Sequence, residues 1–137
     1  MILVSACLCG FHCRYDGNTK PNEEIVQLVK EGKALPVCPE QLGGLTTPRL
    51  PSERTVDDQK VLASDGRDVT DAFTRGAEEA LRLAKLYGCE RAILKARSPS
   101  CGKGTIYDGT FQGGLREGNG VTAELFMKNG LEVEVRD

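Results

Sequence analysis

The stretch TDAFTRGAEEALRLAKLYGCERAILKA, residues 70–96, decides the fold. Phe73, Ala77, Ala80, Leu81 and Ala84 recur every three or four positions, so the spacing predicts a helix over 70–87. Thr70 or Asp68 can cap its start, and Gly88 can end it. The apolar run RAILKA (91–96) follows at once and reads as a strand. A long amphipathic helix leading directly into a short buried strand is half of a parallel α/β unit.

The same alternation extends in both directions. Residues 2–6 read as a short buried strand. Residues 22–31 read as a helix with Asn22 as its cap, Ile25, Leu28 and Val29 on one face, and Gly32 past its end. ALPVC (34–38) is a second strand, despite the proline within it. VTAELFMKNG (121–130) is a helix stopped by Gly130, and LEVEV (131–135) is a last strand. Residues 39–68 and 97–117, rich in Gly, Pro and charge, read as irregular excursions of the kind that carry function. The order β-α-β-α-β-α-β implies right-handed crossovers. The expected fold is therefore α/β, three-layer and Rossmann-like: a mainly parallel sheet of about four strands with helices on both faces. A length of 137 residues suits one domain spanning 1–137.

Composition narrows the function. The net charge is −2 and there is no Trp, which argues against a broad phosphate-binding face or a stacking platform for bulk nucleic acid. A transfer RNA partner stays compatible. No apolar run approaches the roughly 20 residues of a membrane span, so no membrane partner is expected. No export signal is legible, which predicts a cytoplasmic, reducing setting where stable disulfides are rare. Six cysteines there point to metal, catalysis or core filling.

In open parallel sheets, ligands bind beyond the carboxyl ends of the strands. Cys7 follows the first predicted strand, Cys38 the second, and Cys101 lies in the loop after the third. Those three thiols are the expected working set. They could hold zinc or an iron–sulfur cluster, or they could be small buried hydrophobes. The paired knuckles of zinc sites are absent, and His12 is the only histidine. Cys89, between a helix and a strand and on the opposite edge from the others, reads as core or surface filler. Cys9 and Cys13 share a loop with Cys7; either could reach the site, pair with the other, or have no chemical role.

Two further signals surround these thiols. CGFHCRYDG (9–17) and CGKGTIYDG (101–109) share C-G-x-x-x-x-Y-D-G, which suggests two loops of similar shape flanking one site. Glu40 stands two positions from Cys38, where a carboxylate could activate a water. Ser100 adjoins Cys101, where a hydroxyl could relay a proton. Taken singly, Glu40 reads more simply as a solvated loop charge or a helix cap, and Ser100 as a turn residue.

SACLCGFHCRYDG (5–17), PVCPEQLGGLTTPR (36–49), DGRDVTDAFTRGAEEAL (65–81), AILKARSPSCG (92–102), IYDGTF (106–111) and GNGVTAELFMKNG (118–130) together resemble the small bacterial domain family that includes the thiouracil desulfidases. The resemblance covers nearly the whole chain. It implies a 4Fe–4S cluster held by Cys7, Cys38 and Cys101, with one iron free of protein ligands. It implies non-redox desulfuration of a thiolated pyrimidine base or nucleoside to uracil and sulfide. Glu40 would deprotonate the attacking water and Ser100 would assist proton transfer. Arg14, Asp16, Arg49 and Arg97 would bind substrate or orient the loops. Cys9 stands where the family often has Leu, and Cys13 leaves a fourth thiolate open as a ligand. The alternatives are a cluster- or zinc-binding protein that handles sulfur differently, and a non-catalytic binding module.

Overall fold

The computed structural model describes all 137 residues. Strand β1 (Ile2–Ser5) runs into a single 3-10 turn, Ala6–Cys9. Helix α1 (Glu23–Lys30) starts on Asn22, whose side chain accepts from Ile25 N at 3.2 Å, the cap expected from sequence. Strand β2 (Ala34–Val37), the short helix α2 (Pro39–Leu42) and helix α3 (Thr70–Leu86) follow. Two strands lie between those helices, β3 (Ser52–Arg54) and β4 (Val61–Ala63). The chain closes with β5 (Arg91–Lys95), β6 (Thr105–Tyr107), β7 (Leu115–Glu117), α4 (Val121–Lys128) and β8 (Glu132–Arg136).

Four strands form one parallel sheet in the order β2-β1-β5-β8. These are the four strands read from the sequence. Period-two alternation sorts their side chains between two cores. The register sets Leu3 beside Ala92 and Ala92 beside Val133, and this row packs on Ala80, Leu81 and Ala84 of α3 and Phe126 of α4. Val4 and Ile93, one residue on, face the other way and pack on Ile25 of α1. Helices thus cover both faces, as expected for an α/β sandwich. Pro36 is accommodated because β2 is an edge strand, paired only with β1.

Three expectations differ from the structure. The 39–68 excursion contains α2 and the antiparallel pair β3–β4, and the 97–117 loop contains the antiparallel pair β6–β7. Their strands have three residues each, too few to show a period. Neither Thr70 nor Asp68 is the N-cap of α3; that position is Val69. Thr70 Oγ1 instead accepts from Val61 N at 2.9 Å, and Asp68 Oδ1 accepts from Thr70 N at 2.9 Å, so both hydroxyl and carboxylate fasten the β4 hairpin to the helix.

The topology positions the site. From β1 the chain moves through α1 to β2 on one side, then returns across β1 through α2 and α3 to reach β5. The carboxyl ends of β1 and β5 therefore flank the point where the strand order reverses, the usual place for a ligand crevice.

Candidate active site

A cavity of about 430 Å³ opens at that point. Cys7 and Cys13 line it from beyond β1, Cys38 from beyond β2, and Cys101 from beyond β5. The three thiols expected to work together thus share one cavity. Cys9 does not line it; its Sγ lies 3.9 Å from Ser5 O, and burial pushes its thiol up to about 11. Cys89 sits in the sheet core, the first of its two readings.

The thiols are electrostatically distinct. Cys13 lies against both Cys38 and Cys7, and interaction with their sulfurs pushes its own titration up; Cys38 Sγ also lies 3.8 Å from Cys13 O. Interaction with the Cys13 side chain lowers Cys7, and it lowers Cys38 to about 7 against the opposing effect of burial. Cys101 is pushed up to about 12 by burial, with the neighbouring Ser5 hydroxyl opposing the shift. Ser5 Oγ also accepts from Lys95 N at 2.9 Å, tying the ends of β1 and β5 together beside Cys101. No three Cys, His, Asp or Glu side chains are grouped tightly enough to hold a single metal ion. Soft sulfur donors spread around one cavity fit a multi-atom iron–sulfur cluster, which takes a thiolate at each of several corners.

Glu40 enters the cavity wall from the first turn of α2. Its side chain is 16% exposed and its titration is raised by burial, with Arg49 opposing. Arg49 Nε and Nη2 reach the same oxygen, Oε2, at 2.7 and 2.6 Å. The other oxygen carries no hydrogen bond. Arg49 also donates to Cys13 O at 3.0 Å, to Thr46 O at 3.1 Å and to Thr47 Oγ1 at 3.0 Å. One guanidinium therefore joins the acid, the cysteine loop and the loop after α2.

Helix α2 is short, and its placement depends on a backbone contact. A Cβ on Gly43 would strike Ala72 O, and a Cβ on Gly76 would strike Pro39 O. The two helices touch main chain to main chain, which sets Cys38 and Glu40 against the end of β1.

The other predicted residues divide. Arg14, Arg49 and Arg97 line the cavity. Asp16 does not; it is exposed and closes a turn by accepting from Asn18 N at 2.9 Å. Ser100 does not line it either. It is 1% exposed and its Oγ lies 2.9 Å from Thr122 Oγ1, where it seats the start of α4. In this loop the hydroxyl on the cavity wall is that of Ser98, which accepts from Ser100 N at 3.1 Å and Cys101 N at 3.0 Å. Sequence reading also missed Lys95, Glu53 and Phe111. Lys95 lay inside a predicted strand, and the other two lay in stretches without a period. The repeated Y-D-G signal was informative: Tyr15 and Tyr107 both line the cavity.

A family described as 2-thiouracil desulfurase matches residues 2–137. The chain belongs to the 2-thiouracil desulfurase family. Among curated relatives, the uncharacterized protein YbbK of Bacillus subtilis (strain 168) is 46% identical over 141 aligned positions, covering 97% of this chain and 93% of YbbK. Among solved structures, the 4Fe–4S-dependent thiouracil desulfidase TudS is similar with a TM-score of 0.93 at 46% identity, over 99% of this chain and 90% of TudS. The desulfurase family resemblance read from the motifs and the α/β fold expected from the pattern are both borne out.

Proposed function

We propose that this chain is a 4Fe–4S-dependent desulfidase that converts a thiolated pyrimidine base or nucleoside to the oxo base and sulfide. The observation that carries this reading is the convergence of Cys7, Cys38 and Cys101 on one cavity with the buried carboxylate of Glu40. Family membership and the similarity to TudS support it. Cys7, Cys38 and Cys101 would hold the cluster. When bound, the cluster supplies an iron without a protein ligand, a soft Lewis acid suited to a thiocarbonyl sulfur.

The chain's own groups supply the rest. Glu40 takes a proton from water through its free oxygen, and the hydroxide adds to the thiocarbonyl carbon. The C–S bond then breaks, the hydroxyl proton and the sulfur leave together as hydrosulfide, and the C=O bond forms. Glu40 gives up its proton to the sulfide or to solvent. Arg49 holds the carboxylate in place and offsets the cost of burying it. Ser98, rather than the occluded Ser100, is the hydroxyl beside Cys101 placed for proton transfer. It accepts two backbone N–H groups, so its own proton remains free for the cavity. Arg14, Lys95 and Arg97 line the same wall and suit polar groups of the substrate. The net charge of −2 favours a small substrate over bulk RNA. No helix is long and apolar enough to cross a membrane. A reducing, cytoplasmic setting suits the reading because only reduced thiols can ligate.

The test is sulfide release from thiouracil by anaerobically reconstituted protein. Glu40→Gln should keep its iron and lose at least about 100-fold in turnover, the usual contribution of a general base. Unchanged turnover would remove Glu40 from the chemistry.

A further inference from the structure

Glu53 is the second acid on the cavity wall, and nothing in the mechanism above uses it. It projects from β3, is 9% exposed and forms no ion pair. Its Oε1 accepts from Gly109 N at 3.0 Å and from Phe111 N at 3.1 Å. Its Oε2 accepts from no protein group. That oxygen is not sealed in the interior, since the only buried side-chain polar atom without a partner is Arg116 Nε. It is therefore accessible, on a side chain that lines the cavity.

A carboxylate this buried normally has donors for both oxygens or a cation beside it. Here one oxygen is saturated by the 109–111 loop, and the other awaits a donor from whatever fills the cavity. Two flat rings line the same cavity: Phe111, whose backbone the carboxylate itself fixes, and Tyr107. Such a slot suits a planar heterocycle that presents an N–H at its edge. A thiolated pyrimidine carries such lactam N–H groups on its ring.

We propose that Glu53 is the base-reading residue of the site, its free Oε2 accepting a ring N–H of the pyrimidine while Phe111 and Tyr107 wall the ring. The proposal rests on the desulfidase reading and adds what selects the substrate. A site built around a buried acceptor rejects analogues that lack the matching donor far more strongly than an apolar slot does.

The test is calorimetric binding of thiouracil and uracil to anaerobically reconstituted wild type and Glu53→Gln. The glutamine keeps an oxygen for Gly109 and Phe111 and turns an amide donor toward the cavity. Affinity should fall about 10- to 100-fold, the range for a lost charge-assisted hydrogen bond, with the melting temperature close to wild type. Of the two ring N-methylated thiouracils, one should bind wild type as weakly as the variant binds thiouracil and lose nothing further in the variant. Equal affinities in wild type and variant overturn the proposal. So does an equal loss on every analogue, which marks a loop anchor only. The wild type alone gives an independent check: if both N-methyl analogues bind as well as thiouracil, no ring N–H is read. Sulfide release separates the two readings. A wild type that turns over while Glu53→Gln binds normally keeps the desulfidase and discards the base reader. A wild type that binds thiouracil through Glu53 yet releases no sulfide does the reverse.

Discussion

At the scale of single residues, the site is organised around one guanidinium. Arg49 satisfies Glu40, Cys13 O, Thr46 O and Thr47 at once, with only 9% of its side chain exposed. Removing it leaves a buried carboxylate without a partner. Arg49→Ala should therefore lower unfolding free energy by about 3 kcal/mol, measured by urea denaturation. Arg49→Lys should recover little of this, because an ammonium cannot span four acceptors fixed in different directions. A near-wild-type Lys variant would show that charge alone suffices. Glu40 was legible because it stands two positions from a cysteine placed after a strand. Ser100 was equally prominent in the sequence, yet the turn carries its side chain into the protein and leaves Ser98 facing the cavity. Neighbours in sequence do not share a direction in a tight turn, and no periodicity signals which one faces out. Glu53 gave no signal at all. Its partners are backbone groups more than fifty residues away.

At the scale of elements, the four strands and three longer helices were legible because each is long enough to display its period. Helix α2 and the two short hairpins were not, and they supply much of the cavity wall. The packing of α2 on α3 depends on Gly43 and Gly76, and from sequence Gly76 is only a weak point inside a helix. Helix propensity alone predicts that Gly76→Ala gains about 1 kcal/mol. The close approach of Pro39 O predicts the opposite sign: a loss of about 2 kcal/mol by overpacking. The loss should be accompanied by reduced turnover, because α2 carries Glu40 and follows Cys38 directly. Urea denaturation decides the sign, and a stabilised Gly76→Ala protein would contradict the contact.

At the scale of the whole molecule, topology does the assembling. Three cysteines separated by 31 and 63 positions reach one cavity because each follows a parallel strand of the same sheet. That relation follows from the strand pattern without any knowledge of strand order, which explains why the candidate set was legible before the sheet was. What was not legible is the part of the cavity wall built by loops and hairpins that no local pattern announces. The central claim is that these three cysteines hold a 4Fe–4S cluster for desulfuration. The most direct measurement is iron and sulfide analysis, with an absorption spectrum, of anaerobically reconstituted wild type and Cys101→Ala. The account predicts a brown wild type with about four irons per chain, and a variant that retains its fold but loses the cluster. A colourless wild type without iron, or a variant that keeps its full complement, would contradict it.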